Sequence, residues 1–213
     1  MSQKKIFLND EGDNWYLRNK DKSQSYVDLD LISKYLKPHE IKNHLEIGCA
    51  SGYKTFELAH RLNSKGFGID PSTMAILEAN KIKETFKDYR NNVTFKVGTS
   101  DDLSDFDNDF FELVFVGFCL YLVDRDLLET TYNEIDRVLK KHKFVAILDF
   151  DPGSEYFNIY THNQEVKSFK SDYAKHFISK GYYLIAKENL IPPNIGFSFD
   201  PDLRISIQLL QKV

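Results

Sequence analysis

Apolar positions along the chain fall into short blocks that alternate between two spacings. His44 to Ile47 is a compact run of the kind that forms a buried strand, and Tyr53 to Leu62 follows with Phe56, Ala59 and Leu62 on one helical face. Gly66 to Ile69 reads as a second strand. Pro71 and Ser72 then open a longer helix in which Ala75, Ala79, Ile82, Phe86 and Tyr89 recur at helical spacing. Val93 to Val97 is a third strand, and Phe111 to Val116, β-branched and aromatic, suits a central fourth. The stretch Asp124 to Leu139 is helical through Leu128, Thr131, Ile135 and Val138, and Phe144 to Leu148 is the fifth strand.

Strands alternating with helices imply βαβ units, and right-handed crossovers place the helices on both faces of a parallel sheet. The fold expected is therefore a doubly wound α/β sandwich. Beyond Asp149 the pattern changes to an irregular aromatic segment and a short helix near Ser171 to Ser179, stopped by Gly181. Strands near Tyr182 to Leu190 and Arg204 to Gln211 then read as an antiparallel hairpin, joined by a turn-rich stretch carrying Pro192, Pro193, Gly196 and Pro201. No repeat or low-complexity linker divides the chain, so one domain is expected: an N-terminal extension or lid over residues 1–30 and the main body over 31–213.

Composition narrows the classes of function. A chain of 213 residues that is 42% hydrophobic has ample material for one core. The formal net charge is -4, with Lys and Arg scattered rather than gathered into a stripe, which argues against a nucleic-acid partner. The apolar runs Leu113 to Leu122 and Phe144 to Leu148 are too short to span a bilayer, and the polar N-terminus lacks a signal-peptide core. Two cysteines, Cys49 and Cys119, give neither metal-ligand spacing nor a disulfide framework. A cytoplasmic protein, monomer or homodimer, without a metal site or membrane partner, is the expectation.

The strongest chemical signal is Leu45-Glu46-Ile47-Gly48-Cys49-Ala50-Ser51-Gly52, a strand that runs into a glycine loop and opens a helix. Gly48 and Gly52 offer bare backbone, and a helix N-terminus offers free N–H groups to an anion. Ala50 stands where a dinucleotide loop needs its second glycine against a pyrophosphate, so a nucleoside carrying an amino acid fits better than a diphosphate. Asp70 ends the second strand, where an acid accepts both hydroxyls of a ribose. Gly98-Thr99-Ser100-Asp101-Asp102 ends the third strand and sets polar groups where an adenine would lie. Asp70 also reads as a plain cap of the next helix, and Asp101 and Asp102 as ordinary loop residues.

In register from about His44 to Asp149, the chain resembles the class I S-adenosylmethionine-dependent methyltransferases. The resemblance implies a mostly parallel sheet of seven strands with the last antiparallel, and S-adenosyl-L-methionine as cofactor. It further implies that Glu46, Gly48, Cys49, Ser51 and Gly52 surround the methionine part. Asp70, with Pro71 beside it, would hold the ribose, Ser100, Asp101 and Asp102 the adenine, and Gly117 to Tyr121, with Phe118 among them, the methyl-transfer face. Arg137-Val138-Leu139 also matches the family's usual sequence. Thr99, Glu112 and the pair His142-Lys143 depart from it, where the family often has Asp, Asp and a glycine pair.

By the same resemblance an N-terminal segment folds over the cofactor, making Trp15, Tyr16, Arg18 and Asn19 candidates for a lid. The planar fork of Arg18 suits the methionine carboxylate. The alternative is a helix that merely packs its aromatic pair onto the domain. The segment after the fifth strand, with Asp149, Tyr156, Tyr160, His162 and Tyr173, lies at the carboxyl end of the sheet and is a candidate acceptor pocket together with Trp15, Tyr16 and Tyr121. Asp149, His162 or Tyr121 would be the proton acceptor, each also open to a structural role. The reaction expected is methylation of an O or N atom of a small molecule, such as a sugar or other biosynthetic intermediate. The rival readings are a nicotinamide-type oxidoreductase on a related fold and a non-catalytic binder of the adenosyl cofactor.

Overall fold

A computed structural model describes residues 2–22, 26–85, 92–190 and 200–213. Its centre is a seven-stranded sheet of order β3-β2-β1-β4-β5-β9-β8. The strands are β1 (Asn43–Ile47), β2 (Lys65–Asp70), β3 (Val93–Val97), β4 (Phe111–Gly117), β5 (Leu139–Phe150), β8 (Tyr183–Leu190) and β9 (Ile205–Gln211). The pairs from β3 through β5 are parallel, whereas β9 runs antiparallel to both β5 and β8. The seven strands and the antiparallel last one therefore stand as the sequence implied.

Burial explains the order. Every residue from Phe111 to Val116 is buried, which only a central strand allows. Val114 and Val116 pack on one face against Ile135 and Val138 of α6 (Leu128–Val138) and Phe177 of α7 (Ala174–Ser179). Leu113 and Phe115 pack on the other against Leu29, Ile32 and Leu36 of α3 (Val27–Leu36) and Leu58 of α4 (Tyr53–Leu62). A third cluster joins Phe56 and Ala59 of α4 to Ile76, Ala79 and Ile82 of α5 (Thr73–Thr85) over Phe95 of β3. The boundary drawn at residue 30 lies within α3.

Several local expectations shift. Helix α5 starts at Thr73, with Ser72 as its cap through Oγ accepting from Ala75 N–H at 3.0 Å, so Pro71 precedes the helix. Helix α6 begins at Leu128, and Leu139 already belongs to β5, which is longer than the run Phe144 to Leu148 suggests. His142, at a positive φ of 63°, lies in this early part of β5, where pairing with β4 shifts register between Phe111 and Leu113. The aromatic segment after Asp149 is a separate antiparallel hairpin of β6 (Tyr156–Ile159) and β7 (Lys167–Lys170). Four-residue strands fall below what periodicity can register. Gly181, at φ +97°, does stop α7. Phe86 and Tyr89, and the turn residues Pro192, Pro193 and Gly196, lie outside the described residues.

The N-terminus forms α1 (Gln3–Ile6), a π-helical turn over Phe7–Glu11, and α2 (Gly12–Asn19), one continuous rod. Among the described residues no helix is long and apolar enough to cross a membrane.

Candidate functional site

The sheet order reverses between β1 and β4, so the loops after these strands diverge and leave a crevice at their carboxyl ends. Gly48 makes the close approach possible. Its φ is +79°, and a Cβ there would stand 3.0 Å from Gly117 O and 3.2 Å from Cys119 Cβ. The loop is tied to β2 by Gly48 N–H and Cys49 N–H, which both donate to Ile69 O at 2.9 and 3.0 Å. Asp70 completes the tie: Oδ2 accepts from Ala50 N–H and Oδ1 from Ser72 N–H, each at 2.9 Å. Each carboxylate oxygen keeps a lone pair for a further donor, as a ribose diol requires. Burial at the strand end pushes the Asp70 carboxyl up to about 6, against the two N–H donors that favour its charge.

A cleft enclosing about 830 Å³ of space between atoms, partly continuous with solvent, opens from this point. Gly48, Asp70 and Pro71 form one side, Ser100 and Asp101 another, Gly117 and Phe118 the third, and Lys4, Phe7, Gly12 and Trp15 the roof. Phe118 adopts φ +48°, a left-handed conformation rare for a bulky side chain, while its N–H donates to Leu148 O at 2.8 Å. Of the residues that sequence assigned to ribose, adenine and methyl-transfer face, Asp70, Pro71, Ser100, Asp101, Gly117, Phe118 and Cys119 line one space, whereas Asp102 and Tyr121 lie outside its lining. No side-chain cap occupies the N-terminus of α4.

Other residues of the motif turn away from it. Glu46 is buried and takes a hydrogen bond from Thr55 Oγ1 beneath the loop, and burial pushes its carboxyl up to about 8. Gly52 does not bare backbone to the cleft; its missing Cβ makes room for Phe95, whose ring carbons would lie 2.5 Å from it. Cys49 and Ser51 are buried, and burial pushes the Cys49 thiol upward. Asp102 caps Ser104, accepting from its N–H at 3.2 Å and Oγ at 2.6 Å, bonds that lower its pKa.

The roof is held by carboxylates whose partners sequence spacing could not reveal. Asp124 Oδ1 and Oδ2 accept from Gln3 N–H and Lys4 N–H at 2.9 and 2.8 Å, so this acid caps the first helix rather than opening α6. Lys4 reaches Asp101 at 2.7 Å. Asp13 accepts from Ser72 Oγ and Met74 N–H at the start of α5, and a Cβ on Gly12 would stand 3.2 Å from Ser72 N. Trp15 faces the cleft, while Tyr16 is buried near Glu78 of α5, outside the lining. The fork of Arg18 is not open toward a cofactor carboxylate: it pairs with buried Glu11 and reaches Tyr160 Oη at 3.4 Å.

The acceptor candidates lie beside the cleft, not in its lining. Tyr121 is buried, takes a hydrogen bond from the Trp15 indole, and is pushed up by burial. Tyr173 donates to Phe169 O at 2.9 Å and receives Arg125 at 3.4 Å, a packing arrangement under β7. His162 is exposed in the turn of the β6–β7 hairpin, edge-on to Tyr160 at 5.4 Å. Asp149 is buried at the end of β5. Its Oδ1 accepts from Phe150 N–H at 2.8 Å, its Oδ2 has no hydrogen-bond partner, and burial pushes the carboxyl up to about 7. Lys4, Phe7, Gly12 and Asp124 were missed because tertiary docking alone brings them to the cleft.

Residues 45–142 match the family model of the methyltransferase domain. No curated protein matches the sequence. Among solved structures, the 1,6-didemethyltoxoflavin N1-methyltransferase of Burkholderia thailandensis, with bound 1,6-didemethyltoxoflavin and S-adenosylhomocysteine, is 13% identical with a TM-score of 0.77, covering 98% of this chain and 88% of its own. A putative methyltransferase of Haloferax volcanii, in complex with the Trm112 methyltransferase activator, is 20% identical with a TM-score of 0.70 and 96% coverage of each chain. A 4+2 cyclase, SpnF, is 13% identical with a TM-score of 0.66, covering 86% of this chain and 79% of its own. At these identities the likenesses speak for the fold.

Proposed function

We propose that this chain, whose residues 45–142 match the methyltransferase domain and whose fold is shared with solved methyltransferases, is a class I S-adenosylmethionine-dependent methyltransferase that methylates an oxygen or nitrogen of a small molecule. The observation that carries this reading is the enclosure of the cleft: the N-terminal rod roofs it with Phe7, Gly12 and Trp15. A macromolecular acceptor would have to displace that roof, and the scattered charge of the chain offers no track for a phosphate backbone. The Burkholderia enzyme, alike over nearly the whole chain, has 1,6-didemethyltoxoflavin bound beside S-adenosylhomocysteine.

Asp70 is the proposed ribose acid, supported by its two oxygens each holding one N–H and keeping one lone pair free. Ser100 and Asp101 are proposed at the adenine, with Lys4 closing over Asp101. The bound cofactor supplies a methyl group already activated by the positive sulfur. What remains for the chain is to align an acceptor, exclude water and take a proton. Gly117 and Phe118 form the face along which an acceptor would approach, and the roof excludes water. Asp149 is the preferred proton acceptor over Tyr121 and His162, because it ends β5 close to Cys119 of the lining, while Tyr121 is held protonated by burial and His162 stands in solvent; its side chain would have to turn toward the cleft to take the proton.

Calorimetry with S-adenosylhomocysteine and with NAD on folded protein tests the cofactor assignment: heat for the first and none for the second is expected, and the reverse overturns it. Release of S-adenosylhomocysteine across a panel of small hydroxyl and amine acceptors tests the reaction. Binding without turnover across such a panel would favour the non-catalytic reading.

A further inference from the structure

Gln3, the first residue of the rod, is buried, and both ends of its side-chain amide are engaged. Nε2 donates to Leu122 O, in the loop after β4, at 2.7 Å, and Oε1 accepts from the N–H of Lys167, the first residue of β7, at 2.6 Å. Its backbone N–H donates to Asp124 Oδ1 at 2.9 Å. One residue thus ties the rod to the loop after β4 and to the β6–β7 hairpin, whose bonded atoms lie 119 and 164 positions along the chain from it. A carbonyl needs the amide's NH2 and an N–H needs its oxygen, so a single orientation serves both partners. Releasing either one strands a buried polar group, which makes the two bonds mutually dependent. Lys4, next to Gln3, and Leu122 and Asp124, its partners, all line the cleft, whereas no residue of the hairpin does. The hairpin instead carries Tyr160, and it reaches the Tyr121 ring through Lys170, whose Nζ lies 5.2 Å from the ring centre. A second tie from rod to hairpin, Arg18 Nη2 to Tyr160 Oη, is longer at 3.4 Å and exposed.

We propose that Gln3 is a positioning residue that couples the cofactor cleft to the hairpin: a ligand filling the cleft fixes Lys4, Leu122 and Asp124, these hold the Gln3 amide, and the amide holds the β6–β7 hairpin as the wall against which a methyl acceptor docks. The inference deepens the methyltransferase reading above and rests on it. In the free protein the start of the rod and the hairpin open together as one cooperative unit. The cofactor then meets the cost of ordering that unit, so an acceptor arriving second meets less of it, and the two ligands bind with positive cooperativity. Cofactor before acceptor is the favoured order, because the wall is firm once the cleft is full.

Amide hydrogen exchange at Tyr160 reads the coupling, since its N–H donates to Val166 O at 2.8 Å within the hairpin and touches neither Gln3 nor the cleft. In the wild type, saturating S-adenosylhomocysteine should slow this exchange at least about tenfold. Gln3→Met keeps the size of the side chain and removes both of its hydrogen bonds. The slowing should then vanish at Tyr160 and persist at Lys4, whose N–H stays bonded to Asp124. A role confined to stability would speed exchange equally in free and bound protein and leave their ratio unchanged. Gln3→Glu keeps the acceptor for Lys167 but loses the donor to Leu122, and it carries the same expectation should Gln3→Met fail to fold. Absence of slowing at Tyr160 in the wild type that binds the ligand, or slowing retained in the variants, overturns the proposal; the second result would assign the coupling to Arg18 and Tyr160. Calorimetry on the same samples separates this inference from the cofactor assignment, which no heat with S-adenosylhomocysteine would defeat. The coupling is then decided in the free protein, where the Lys4 and Tyr160 amides should open to the same extent in the wild type and differ at least about fivefold in Gln3→Met. Unequal opening in the wild type, or equal opening in the variant, overturns it.

Discussion

Asp13 on α2 accepts a hydrogen bond from Ser72 Oγ at 2.6 Å, and through it the roof is fastened to the residue that caps α5, two positions beyond Asp70. The same oxygen also accepts from Met74 N–H at 2.9 Å. One carboxylate therefore serves as cap for a helix in another part of the chain and as latch for the lid. Asp13→Ala should lower global stability by about 1 kcal/mol, the usual cost of losing a cap. It should also speed dissociation of S-adenosylhomocysteine several-fold in stopped-flow measurements, since the lid loses its anchor beside the proposed ribose site. An unchanged dissociation rate with the stability loss present would mean that the rod does not gate the cleft.

Asp70 makes a sharper claim. A diol donates best to a carboxylate, and this carboxyl is raised to about 6, so affinity for S-adenosylhomocysteine should hold above pH 7 and weaken as pH falls toward 5, where the acceptor is protonated. Asp70→Asn keeps the size but replaces one acceptor by a donor facing the N–H of Ala50 or Ser72. The expected loss is at least about tenfold in affinity by calorimetry, in line with about 1–3 kcal/mol for an unmatched polar group. Near-normal binding in the variant would remove Asp70 from the ribose.

What was legible in the sequence was local. The strands Asn43–Ile47 and Val93–Val97 and the helix Tyr53–Leu62 announce themselves through uninterrupted apolar runs or a helical face, and glycines at 48 and 181 mark backbone turns that side chains resist. The chain order of those elements then implied the sheet, and the sheet the site. The roof was not legible in the same way, because Asp13, Asp101 and Asp124 are charged residues whose partners lie 59 to 121 positions away. Nothing in spacing separates such an acid from a solvated one. The packing reason for glycine at position 52 was not legible for a related reason: the group that leaves no room for a Cβ there is the ring of Phe95 on β3.

That contact can be tested directly. Gly52→Ala sets a Cβ 2.5 Å from Phe95 and forces a side chain into φ +80°, costing about 1–3 kcal/mol for overpacking and about 1–2 kcal/mol for the left-handed backbone. Phe95→Leu alone leaves space and also destabilises. Combined, the smaller ring-free side chain accommodates the new methyl, so urea unfolding of the double variant should show a loss at least about 1 kcal/mol smaller than the sum of the singles. Simple additivity would show that backbone strain, not the ring, dictates glycine there.

Glu46 offers a test of electrostatics inside the fold. Buried beneath the glycine loop, its carboxyl is raised to about 8 from an ordinary 4.5, so between these values the folded state binds a proton that the unfolded chain has shed. Stability from this group is therefore present below about pH 4.5 and is lost as pH rises toward 8. Glu46→Gln keeps an oxygen to accept from Thr55 Oγ1 and carries no charge to desolvate. The variant should match the wild type near pH 4.5 and exceed it at pH 8 by at least ~1 kcal/mol, or ~2–4 °C in Tm for a chain of this size. Melting both proteins from pH 5 to 8 reads the difference, and a variant that is less stable at the alkaline end would show that an ionised Glu46 is held favourably by its surroundings, with Lys54 supplying compensating charge.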